Sequence, residues 1–263
     1  MTRIASAQAR FLAVLVTVPL LAGCGGGTPQ QDREAVAAAI DAASSAGSHI
    51  DVQSTILDSG GGIPKGRADQ IKFHGVGATR DGAAALRVTF TAAAGKANPS
   101  FDIVLTDSDV YAHQHGSVAP WRTEVVEAGN FLFVPVRLPL LRETALLATR
   151  ETSGSLSHID QGFARKYTIT PAPDQLLQML ANSFGGTAAA FLKTASGHID
   201  FYLGSNGKLL RIETHLVAIN PDDKSKRQID AVTVLSGGSA KPIIVPEGAQ
   251  PVTSGSALLT TGP

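Results

Sequence analysis

From His49 onward apolar and polar positions alternate. Ile50, Val52 and Ile56 face one way against Asp51, Gln53 and Thr55, the pattern of a strand with one buried side. The same period of two predicts strands over Ala68–His74 and Ala85–Thr91, joined through Asp81-Gly82, and over Phe101–Thr106 and Val110–His113, joined by Asp107-Ser108-Asp109. Trp121–Val126 continues the series. After an interruption it resumes at Gly154–Ile159, turns at Asp160-Gln161-Gly162, and runs on through Phe163–Ile169, His198–Leu203, Leu209–Ile219 and Gln228–Ser236. Helical spacing occurs in fewer places. Asp32–Ala46 carries Val36, Ile40 and Ala43 on one face, with Asp32 expected as N-cap and Gly47 as terminator. Thr144–Arg150 and Thr187–Lys193 are short candidates, and a helix starting at Pro173-Asp174 presents Leu176, Leu177, Met179 and Leu180 before Gly185-Gly186.

Between these series, Phe131–Leu141 is densely apolar but broken by Pro135 and Pro139, which predicts neither a regular helix nor a central strand. Roughly ten strands with short turns, and helices gathered in two places instead of alternating with strands, predict an α+β fold: one antiparallel sheet with helices on one side. No repeat of solenoid length is present.

The segment before the first helix has a different logic. Arg3 and Arg10 precede an apolar run, Phe11–Leu21, that ends in Leu21-Ala22-Gly23-Cys24. As a helix this run reaches about 16 Å, half of a bilayer's hydrocarbon core, which suits a signal peptide and not a span. The four residues resemble the lipobox of bacterial lipoproteins, which implies cleavage after Gly23 and a diacylglycerol on the Cys24 thiol. The expected organisation is therefore a signal peptide over 1–23, a flexible tether over 24–31, a folded domain over 32–240 and a poorly ordered Pro/Gly/Ser/Thr-rich tail over 241–263. The protein is expected on the outer side of the cell membrane, held through Cys24.

Composition narrows the chemistry. Cys24 is the one cysteine in the chain, so disulfides and thiolate metal sites are excluded and packing alone holds the fold. Taking the two arginines of the leader from 22 basic residues leaves 20 against 22 acidic ones, a balance that gives no reason for nucleic-acid binding. The glycines of Gly61–Gly66 have P-loop spacing, but Arg67 stands where the lysine belongs, so this is a loop. His113 and His115 share a strand face without further ligands at metal spacing, and Asp107-Ser108-Asp109 needs no cation to explain it. GxSxG and HExxH are absent. No catalytic residue, metal or cofactor is expected.

Several segments, taken in order behind the lipobox, carry a resemblance. They are Ile103–His113 leading to Trp121; then Gly154, Ile159-Asp160, Gly162 and Lys166–Ile169; then His198–Leu203 before Gly207–Ile212. Over roughly Glu34–Ser236 the chain resembles the LppX/LprAFG family of actinobacterial cell-envelope lipoproteins. It departs from that family in the Gly-rich stretch Ser59–Gly66 and in the tail beyond Lys241. The resemblance implies a half-barrel, a curved antiparallel sheet with helices across its concave face, enclosing an apolar cavity for acyl chains. It also implies a non-enzymatic role: binding, and transfer, of acylated lipids or lipoglycans within the envelope, in some members beside a membrane lipid exporter. The residues supply lining for such a cavity in Leu132, Val134, Val136, Leu138, Leu141, Leu146, Leu147, Leu176, Leu177 and Leu180. An ordinary dry core has the same hydrophobicity pattern, so an assembly or interaction lipoprotein with a closed core and no lipid cargo is the alternative expectation.

Overall fold

A computed structural model describes residues 28–59, 69–91, 98–125, 135–148, 150–172, 175–176, 194–219, 224–238 and 240–252. The chain opens with helix α1 (Pro29–Ala46) and passes into strands β1 (Ser48–Ser59), β2 (Asp69–Arg80), β3 (Ala83–Phe90), β4 (Ser100–Leu105), β5 (Asp109–Gln114) and β6 (Arg122–Val125). Helix α2 (Leu138–Leu146) follows. Then come β7 (Arg150–Ile159), β8 (Gly162–Thr170), β9 (Ser196–Gly204), β10 (Leu209–Ile219), β11 (Lys226–Gly237) and the two-residue β12 (Gln250–Pro251).

All twelve strands belong to one open sheet, ordered β12-β6-β5-β4-β3-β2-β1-β11-β10-β9-β8-β7. Neighbours are consecutive in sequence, as short turns require, except at two places. The first is the centre, where β1 pairs antiparallel with β11 over its whole length, from Ser48 opposite Gly237 to Ser59 opposite Lys226. The second is the edge, where β12 runs parallel to β6. The tail expected to be poorly ordered beyond Lys241 thus returns to the sheet: the amide of Gln250 donates to the Trp121 carbonyl and that of Val252 to Thr123. Residues 253–263 lie outside the described residues.

Alternation puts one face of every central strand into a single apolar cluster. Ile50, Val52 and Ile56 of β1, Ile229 and Leu235 of β11, Ile212 and Leu216 of β10, Ile199 and Phe201 of β9 and Ile169 of β8 all point inward. On the other half, Phe73, Phe90 and Phe101 run across β2, β3 and β4, the first pair tilted and the second edge to face, with centroids 5.8 and 5.9 Å apart. Gly77 is required where β2 and β3 close together, because a Cβ there would stand 1.9 Å from the Ala85 carbonyl oxygen.

The helices lie against this inner face. Thr28, not Asp32, caps α1: its hydroxyl accepts from the Gln31 amide, while Gln31 Oε1 accepts from the Thr28 amide at 2.9 Å, and Pro29 fills the first turn. Residues 29–31, expected in the tether, are therefore helical. Val36, Ala39, Ile40 and Ala43 turn toward the sheet. The helix crosses the sheet obliquely. Near its start Arg33 donates to the Ala148 carbonyl just ahead of β7, and at its end Ser44 accepts from the amides of Asp81 and Gly82 in the β2–β3 turn.

α2 corrects two expectations at once: that Phe131–Leu141 enters no regular helix, and that the helix here starts at Thr144. It begins at Leu138 instead of Thr144, because Pro139 sits in the first turn, where no amide donor is needed and the ring meets no preceding carbonyl. It packs along α1, with Arg142 bonded to Asp41. Gln175 and Leu176 are helical, as expected after Pro173; the rest of that helix and the candidate at Thr187–Lys193 lie outside the described residues.

Candidate functional site

The candidate site is the apolar interior between the sheet and the helices. Of the residues expected to line it, Val136 (3% exposed), Leu138 (1%), Leu141 (0%) and Leu176 (3%) come together in the same cluster as the inner face of the sheet. Leu138 and Leu141 project one helical turn apart from α2, and the Gln175 side chain donates to the Glu143 carbonyl, holding Leu176 beside them. Leu146 is half-buried. Leu147, expected in the lining, is instead 55% exposed: it is the C-cap of α2, where the backbone leaves the helical path and turns the side chain outward. Leu132, Val134, Leu177, Leu180 and the lipidation candidate Cys24 lie outside the described residues.

Inside this interior the sheet is not uniformly aliphatic. Ser54 on β1 stands opposite Ala231 on β11, which stands opposite Thr214 on β10, so three small side chains form one row across the centre of the sheet. All three are buried, and among the described residues neither the Ser54 nor the Thr214 hydroxyl has a hydrogen-bond partner. Two residues along β11 the situation differs, since Thr233 donates to the Pro135 carbonyl at 2.9 Å and ties the entry of α2 to the sheet. Nothing in the sequence pattern singles out Ser54 or Thr214, because a hydroxyl at an apolar position of a strand is tolerated wherever it finds a partner.

The opposite face of the sheet is polar and has its own groove, of about 920 Å³, between β2 and β9. Its side chains form cross-strand pairs: His74 with Asp51 at 3.0 Å, His215 with Asp230, Lys166 with Asp200 at 2.7 Å, and Tyr202 donating to Glu213 at 2.8 Å. The hydrogen bond to Asp200 raises the Lys166 pKa. Burial, then the bond to Glu213, raises that of Tyr202. His113 and His115, weighed above as metal ligands, take separate partners: His113 stacks on Trp121 and His115 bonds Asp102. Among the described residues no group of three or more His, Cys, Asp and Glu side chains is placed to hold a metal ion. No described helix is long and apolar enough to cross a membrane.

No protein-family model matches the chain, and no curated protein sequence matches it. Among solved structures it is similar to LprF from Mycobacterium bovis, at 12% identity and a TM-score of 0.39, over 86% of this chain and 100% of that one. It is also similar to the lipoprotein LppX of Mycobacterium tuberculosis, at 12% identity and a TM-score of 0.42, over 83% and 100%. A third similarity is to a DUF1329 family protein from Desulfovibrio piger, at 10% identity and a TM-score of 0.31, over 78% and 92%.

Proposed function

We propose that this protein is a lipid-anchored, non-enzymatic carrier of the cell envelope that takes the chains of an acylated lipid or lipoglycan into the interior between sheet and helices and passes them on. One observation carries the reading. The sheet is open, the inner face of its central strands gathers into one largely apolar cluster, and α1 and α2 lie over that face outside the strand ladders. Such a layer can part from the sheet without breaking a strand pairing. Each CH2 group entering from water then gains about 0.8 kcal/mol, so a long acyl chain is retained with little polar chemistry.

The leader and Leu21-Ala22-Gly23-Cys24 support the anchor, since two acyl chains on Cys24 give firm attachment where one is marginal. A membrane lipid exporter is the proposed protein partner, and nucleic acid is not a ligand. The burial of Val136, Leu138, Leu141 and Leu176 to 0–3% favours a second reading, an assembly or interaction lipoprotein with a closed core.

Native mass spectrometry of the protein taken from its own membrane separates the two. The carrier reading expects a co-purifying acylated molecule and, after delipidation, renewed uptake of a long-chain lipid; delipidated protein that takes up none leaves the closed-core reading. For the anchor, Cys24→Ser is expected to move the protein from the detergent phase to the aqueous phase in Triton X-114 partitioning. A variant still carrying a lipid and staying with detergent rules out Cys24 as the acylated residue.

A further inference from the structure

We propose that Ser54 and Thr214 form a polar subsite within the apolar interior that donates hydrogen bonds to the ester carbonyls of the ligand; this rests on the lipid-carrier reading above. Six serines and threonines are buried among the described residues: Ser48, Ser54, Thr79, Thr144, Thr214 and Thr233. Four are engaged with backbone carbonyls, Ser48 with Ala43, Thr79 with Ala83, Thr144 with Leu140 and Thr233 with Pro135. The two with no partner are neighbours, one on each side of Ala231 in a single cross-strand row. A buried hydroxyl left without a partner is a standing cost that Ala or Val at the same position would remove. Two of them flanking the smallest apolar side chain on the inner face mark a place where something else supplies the acceptors.

Position defines what that is. Ser54 and Thr214 lie at the middle of β1 and β10, roughly 17–20 Å from the strand ends at 3.3 Å per residue. A charged or strongly hydrated head group does not follow acyl chains that far into an aliphatic interior. The ester carbonyl does: it is uncharged, has no donor of its own that would need an acceptor, and is bonded directly to the chain. The two hydroxyls are two strand spacings apart, about 10 Å, which suits two carbonyls of one multiply acylated molecule or one carbonyl from each of two. The subsite therefore selects acyl esters over alkyl ethers of the same length.

The test uses a matched pair of lipids, dipalmitoylglycerol and its diether counterpart dihexadecylglycerol, which differ in the two carbonyls. Uptake by delipidated full-length protein is compared by native mass spectrometry under competition. The parent is expected to prefer the diester by about tenfold, the scale of two buried neutral hydrogen bonds. Ser54→Ala/Thr214→Val is expected to bring the ratio to about unity by weakening diester uptake alone, while its ligand-free form unfolds at the same or a higher urea concentration. With a carbon-13 label on the ester, the carbonyl stretch of the bound diester should move to lower frequency in the parent and not in the double variant. Equal uptake of the two lipids by the parent, or a preference that survives the double substitution, overturns the subsite and leaves the carrier reading standing. If neither lipid enters, both fall.

Discussion

Asp102 on β4 shows how single side chains set the acid stability of this sheet. It accepts from Arg87 Nε at 3.0 Å and bonds His115 Nδ1 at 2.8 Å. Burial alone would raise its pKa, but the bonds from His115 and Arg87, with the charge of Arg87, hold it below the ordinary value. A carboxyl depressed in the folded state stabilises the protein above the unfolded value of about 3.9, and the gain is lost as pH falls through the lower, folded value. Asp102→Asn is therefore expected to unfold at lower urea than the parent near neutrality, with the difference shrinking as pH falls below about 4. A difference that stays constant across that range would mean that the charge of Asp102 contributes nothing. Residues of this kind were not visible in the chain alone, since Arg87, Asp102 and His115 meet only after three strands have paired. The interior leucines divided differently. Leu138 and Leu141 are legible as apolar positions near two prolines, whereas the exposure of Leu147 depends on where α2 ends, which the apolar pattern does not state.

At the scale of elements, strands were more legible than helix boundaries. Period-two alternation located β10 to the residue, and Asp81-Gly82 and Asp160-Gln161-Gly162 marked hairpin turns, where Asp81, Gly82 and Gly162 take the positive φ that such turns require. The helix starts were displaced because each depends on a local cap or a first-turn proline that a hydrophobic pattern does not register: the Thr28–Gln31 box for α1 and Pro139 for α2. The attachment of α2 to the sheet gives a sharp test. Thr233→Val keeps the shape of the side chain but leaves the buried Pro135 carbonyl without its donor, which is expected to cost about 1–3 kcal/mol in urea unfolding. Amide hydrogen exchange should quicken in α2 and not in the β4–β5 hairpin. Unchanged protection of α2 would show that Thr233 does not fasten it.

For the whole molecule, the feature that the linear pattern withheld is closure at the centre. β1 and β11 are separated by most of the chain yet form a continuous antiparallel ladder, so two hairpin series become one sheet only when β11 meets β1. Alternation states that each has an apolar side; it does not state which strand is the neighbour. The capping of α1 at Thr28 has a mechanical consequence. Only Gly25, Gly26 and Gly27 separate Cys24 from the cap residue Thr28, and four residue steps reach at most about 14 Å. With Cys24 acylated, the leash is shorter than α1 itself, about 27 Å at 1.5 Å per residue. Such an anchor would hold down the end of the domain where Arg33 meets Ala148 and leave the β9–β10 turn, beside the far end of α1, away from the bilayer. In liposomes containing a quencher in the acyl region, a fluorophore at the exposed Leu147 should dim strongly and one at Asn206 little; equal dimming would mean that the domain tumbles freely on its anchor. On the proposed carrier reading, a receptacle on so short a leash samples the surface beneath it and little else, and its cargo would move on only when the acceptor comes to it.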